Sequence, residues 1–104
     1  MTNEVRIELN IILKAYDWEK IYDINWYTVS KYRDLSEGFI REFQDMVFWK
    51  WISWEQKLSK NFIKEFKDKL DLKTMLREKK ISQEFYNELK YGEPLTRFEL
   101  MDFS

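Results

Sequence analysis

Three glutamates, Glu42, Glu65 and Glu88, recur at 23-residue intervals. Carboxylates in a set can exchange protons as a general acid and base, or hold a hard cation. Equal spacing argues against both uses, because it sets the three on equivalent outer corners of successive structural copies and does not gather them around one cavity. The rest of the inventory points the same way. There is no cysteine and no histidine, which removes thiol nucleophiles, imidazole bases, disulfides and cysteine/histidine zinc sites. Gly38 and Gly92 are the only glycines, so a glycine-rich phosphate loop is excluded. The expectation is a protein that is not an enzyme and carries no cofactor or metal.

Two other sets of side chains could bind without reacting. Phe48, Trp51 and Trp54, with Lys50 and Tyr27 or Tyr32 nearby, have the composition of a protein-interface hot spot, in which large rings anchor a partner. Lys57, Lys60, Lys64, Lys67 and Lys73 belong to a basic band that could meet phosphates. Residues 57–80 carry nine basic and four acidic side chains, a net +5 between flanks of −3 each. Yet Glu65, Asp68, Asp71 and Glu78 interleave with the lysines, as they would on a solvated helix face. The whole chain has a net charge of −1 and so no global field for nucleic acid or an acidic membrane.

The elements that must position these residues come from an internal repeat. Residues 26–48 align without gaps on residues 49–71, with nine identities in 23 positions: Trp26/Trp49, Ser30/Ser53, Leu35/Leu58, Ser36/Ser59, Phe39/Phe62, Ile40/Ile63, Glu42/Glu65, Phe43/Phe66 and Asp45/Asp68. Residues 72–94 form a weaker third copy that keeps Ser82, Phe85 and Glu88, departs at Leu72 and Leu76, and reads as a terminal cap. Each copy predicts two short helices. The second opens at Ser36, Ser59 or Ser82, whose hydroxyl can cap free backbone N–H groups. Phe39, Ile40, Phe43 and Val47 then follow as one apolar stripe at the helical period. The first helix opens at Trp26, Trp49 or Leu72, with Asn25 and Asp71 as caps for two of the three.

Helices of two or three turns are unstable alone, so stacking must supply the core. The expected fold is therefore mainly α, a single domain of stacked helix pairs. It spans residues 1–104, as an N-terminal segment (1–25), three copies and a tail (95–104). In the N-terminal segment Val5, Ile7, Leu9, Ile11 and Leu13 alternate with polar residues, which favours a strand over residues 5–13, although a helix also fits. A helix is expected around residues 17–22. A short strand near Phe98 and Leu100 would pair with the first in a small two-stranded element. The longest apolar run is only four residues, Met46 through Trp49, so no membrane span is expected, and the absence of cysteine favours the cytoplasm.

The repeat wording, Trp-x-x-Val/Ile-Ser followed by Leu-Ser-Glu-x-Phe-Ile-Arg-Glu-Phe-Gln-Asp at residues 26–45, resembles tandem-repeat proteins of phages, prophage-bearing bacteria and large DNA viruses. That resemblance implies no activity and no catalytic residues. It implies a viral or mobile-element setting, in which small accessory proteins bind host or defence proteins, anti-CRISPR proteins among them.

The repeat also serves as an internal control. Phe48, Trp51 and Trp54 stand where the first copy has Asn25, Thr28 and Lys31 and the third has Asp71, Thr74 and Arg77. On a helix wheel with Phe48 at zero, Trp51 and Trp54 fall near about 300° and 240°, away from Ile52 at about 40°. Either these rings form an exposed interface or residues 1–25 fold over them. The leading expectation is a protein-binding inhibitor that acts by occluding a partner's surface; the alternative is a nucleic-acid binder using the basic band.

Overall fold

The structure is a computed structural model that describes residues 1–92. Seven α-helices make up the described part: α1 (Asn3–Ala15), α2 (Trp26–Tyr32), α3 (Glu37–Glu42), α4 (Trp49–Glu55), α5 (Lys60–Glu65), α6 (Leu72–Arg77) and α7 (Gln83–Tyr91). They form two rows. Helices α2, α4 and α6 pack in sequence along one row; α1 packs on α3 to begin the other, which continues through α5 to α7. Each copy of the repeat contributes one helix to each row, as the spacing predicts.

Local chemistry explains the short helices. Ser36, Ser59 and Ser82 each cap their helix, the hydroxyl accepting from the N–H of Phe39, Phe62 or Phe85 at 3.1, 3.2 and 3.0 Å. Asn25 and Asp71 do the same for α2 and α6, accepting from the Thr28 and Thr74 amides. Behind the caps sits one aromatic unit used twice. The Trp26 ring lies 5.1 Å from Phe43 and 6.1 Å from Phe39, and Trp49 lies 5.3 Å from Phe66 and 6.4 Å from Phe62. The repeated serines of the first helices have a different task. Ser30 and Ser53 are fully buried, and their hydroxyls accept from the Phe48 and Asp71 amides at 3.0 and 2.8 Å, tying the first helix of each copy to the N-cap of the helix that opens the next. Leu76 stands at this place in the third copy.

The N-terminal segment departs from the expectation. Residues 5–13 are helical within α1, not a strand. Val5, Leu9 and Ile12 are buried against the core, whereas Ile7 and Ile11, which a strand would align with Val5 and Leu9, are 60% and 55% exposed. A strand needs a paired edge to satisfy its backbone, while a helix bonds internally and requires only one buried stripe. Thr2 caps it by accepting from Val5 N–H, and Asp17, in the left-handed region (φ 58°), ends it. The helix expected over residues 17–22 is reduced to a single 3₁₀ turn, Ile21–Asp23. The Asp23 carboxylate accepts from the Glu19 and Lys20 amides and holds that turn. No strand occurs among the described residues, and the proposed strand near Phe98 lies outside them.

Candidate interaction surface

Helix α1 lies on α3, in the second row. The outer face of α2 and α4 therefore remains uncovered by it. On that face Tyr27, Phe48 and Trp54 are 42%, 47% and 37% exposed, and Trp51 is half-buried between them. The rings touch in a continuous series. Tyr27 meets Phe48 and Trp51 edge-on, with centroids 5.6 and 5.5 Å apart, and Trp51 stacks on Trp54 at 5.8 Å and 21°. Packing of α2 against α4 creates this series, because Tyr27 comes from α2 and the other three rings from α4 and its N-cap residue.

At the centre is a cation that the residue pattern did not single out. The Lys31 ammonium lies 4.3 Å from the Trp51 ring centre, 5.2 Å from Tyr32 and 5.7 Å from Tyr27. The Tyr32 hydroxyl pushes the Lys31 pKa up from its ordinary value, more than desolvation lowers it, with Tyr27 adding to the rise. Lys50, the expected cation, is exposed, and its charge contributes a minor part of the lowering of the Asp71 carboxyl pKa. The i, i+4 spacing of Tyr27 and Lys31 on α2 was the available signal for this cation.

The basic band is drawn largely into the seam between the second and third copies. Lys64 pairs with Glu88 at 3.2 Å, the Lys60 ammonium lies 5.6 Å from the Phe85 ring centre, and Lys67 donates to the Leu89 carbonyl at 3.4 Å. Lys57 and Lys73 are exposed. The periodic glutamates also bridge neighbouring segments, each pairing with a cation of the preceding one. Arg41 grips Glu65 through two hydrogen bonds of 2.9 and 3.1 Å, and Glu42 lies 3.7 Å from the Met1 amino group. Arg41 holds the Glu65 carboxyl below its ordinary pKa, and Glu65 in turn raises that of Arg41. Among the described residues there is no cluster of three or more acidic side chains able to hold a metal ion, and no helix is long and apolar enough to cross a membrane.

Comparison with known proteins finds no matching family model, no matching curated protein and no matching solved structure.

Proposed function

We propose that this protein is a non-enzymatic protein-binding module that occludes a partner's surface with the aromatic face of α2 and α4. One observation carries the reading. Five large rings, Tyr27, Tyr32, Phe48, Trp51 and Trp54, lie on an outer face with Lys31 over three of them, Tyr27, Tyr32 and Trp51, and of the five Phe48, Trp51 and Trp54 occupy positions where the other copies have polar residues. Rings buried at the centre of an interface carry much of its binding energy, and Lys31 adds a cation that suits a partner carboxylate. In this proposal the partner is a host or defence protein and the setting is a phage or mobile element, which rests on the resemblance of the repeat. The nucleic-acid alternative on Lys57, Lys60, Lys64, Lys67 and Lys73 has less support, since Lys60, Lys64 and Lys67 already face the third copy.

The test is quantitative binding to a purified candidate partner, with a single-stranded oligonucleotide in parallel. Binding to protein that survives a salt increase from about 50 to 200 mM and is lost in Trp51→Ala/Trp54→Ala supports the proposal. Tight oligonucleotide binding that collapses over the same range and ignores the tryptophans would overturn it.

A further inference from the structure

The row formed by α2, α4 and α6 turns one kind of chemistry outward. Val29, Ile52 and Met75, at 0%, 0% and 1% exposed, mark the core side of the three helices. Residues two before and two after each of them lie about 160° around the helix, on the opposite side. Those six positions hold Tyr27 and Lys31, Lys50 and Trp54, Lys73 and Arg77. They are two rings and four cations, with no acid. Lys31 is half-buried and the other five are exposed. In the three helices together Glu55 is the only acidic residue, although the chain as a whole has a net charge of −1.

These cations also lack acidic partners. The other row ties its charges together, Arg41 to Glu65 at 2.9 Å and Lys64 to Glu88 at 3.2 Å. Among the described residues Lys31, Lys50 and Lys73 make no ion pair, and Arg77 meets only its neighbour Glu78, at 3.9 Å. Asp71, the carboxylate that the Lys50 charge reaches, already accepts from the Thr74 amide and hydroxyl at 3.1 and 2.8 Å. A row of cations without counter-charges attracts an anionic partner. The rings indicate which kind. Nucleic-acid bases stack on open ring faces, whereas Trp51 and Trp54 stack on each other and Lys31 lies over Tyr27, Tyr32 and Trp51. A second copy, docked through the same face, would bring the same cations against these. An acidic stretch of another protein meets both the charges and the rings.

We infer, resting on the reading of the aromatic face given above, that the partner docks an acidic segment there, with carboxylates on Lys31, Lys50, Lys73 and Arg77 and an apolar side chain against Trp54. Three helices side by side at about 8–10 Å make a track about 20 Å long, the length of about six extended residues. Contact with the rings supplies the affinity that salt leaves in place, and the charges select the partner and its orientation. The test is NMR of the full chain at about 50 mM salt, titrated with the capped peptide Glu-Glu-Leu-Phe-Glu-Glu. The indole N–H signals of Trp51 and Trp54 should shift saturably, with a dissociation constant of about 1 mM. The analogue with glutamine in place of every glutamate should bind about tenfold more weakly, through the loss of four exposed ion pairs. Lys50→Glu/Lys73→Glu, which alters two exposed side chains, should weaken the acidic peptide by at least about tenfold and leave the glutamine peptide unchanged. No saturable shift at the two indoles, an equal response to the glutamine peptide, or a folded charge-reversed variant that still binds normally overturns the inference. An equal response to the glutamine peptide would still leave the aromatic face as a binding surface; peptide affinity unchanged in Trp51→Ala/Trp54→Ala would remove that reading as well. Tighter binding of oligothymidylate at the same indoles would assign the face to nucleic acid. Movement of these signals with protein concentration alone, or on Glu99→Lys/Asp102→Lys, would assign it to a second copy or to the chain's own C-terminal residues. Each of these results also overturns the inference. Should the charge-reversed variant fail to fold, the wild-type titrations decide.

Discussion

Two groups of aromatic rings, drawn from neighbouring helices, have opposite fates. Trp26, Phe39 and Phe43, with their counterparts Trp49, Phe62 and Phe66, are repeated between copies and lie in the core or against it. Tyr27, Phe48, Trp51 and Trp54 are not repeated and lie on the outer face. The difference teaches how to read a repeat. A residue needed to close the core must recur wherever the copies pack in the same way, whereas a large ring present in one copy alone answers to something other than stacking.

The largest effect expected from this contrast is on the repeated set. Phe62 is 1% exposed and packed against Trp49 and Phe66. Phe62→Ala should therefore destabilise the protein by about 3–5 kcal/mol in a urea titration; a loss under about 1 kcal/mol would mean that the repeated rings are not what holds the copies together. The unrepeated set should behave in the reverse manner. Trp51→Ala/Trp54→Ala should weaken partner binding by about a hundredfold. The unfolding free energy from a urea titration should fall little, by less than about 1 kcal/mol, which reflects the loss of the stacked pair. A collapse of stability on this double change would erase the distinction between the two sets of rings.

Smaller effects sharpen the comparison at the seams. Asp71 caps α6, and its carboxyl pKa is lowered chiefly by the Thr74 hydroxyl and then the Thr74 amide, with Arg77 and Lys50 contributing. Because the folded value lies below the unfolded one, this stabilisation is complete above about pH 4 and is lost as pH falls through the folded value. Asp71→Ala should cost about 1 kcal/mol at neutral pH, and thermal melts of Asp71→Asn should show a shallower loss of stability below pH 4 than the wild type. The Arg41–Glu65 pair is about half exposed on both sides. Arg41→Ala should give the smallest change, detectable as a shift in melting temperature at low ionic strength and absent at about 1 M salt.

What could be read in advance divides along the distance between interacting groups. The serine caps, the Asn25 and Asp71 caps and the aromatic stripes are local, each a matter of three or four residues, and all stand where their spacing indicated. Trp51 and Trp54 were legible too, because the repeat showed which face of α4 is the core. Residues 5–13 were not, since alternation and a helical stripe coexist there, and only the docking of Val5, Leu9 and Ile12 on α3 separates them. Lys31 was hidden for a related reason: its neighbour Trp51 is 20 residues away and arrives only when α4 packs against α2.

The amino-acid sequence by itself determined the number of copies, the start of each helix within them and the side that faces the core, because capping bonds and helical periodicity act within a single turn. The tertiary structure alone decided how side chains are used across the seams. Arg41 meets Glu65, Lys64 meets Glu88 and Gln56 bonds the linker after α2 through contacts that span 21 to 26 residues. No local pattern encodes such pairings; they depend on the offset at which one helix pair stacks upon the next, and that offset is set by the packing of the buried rings.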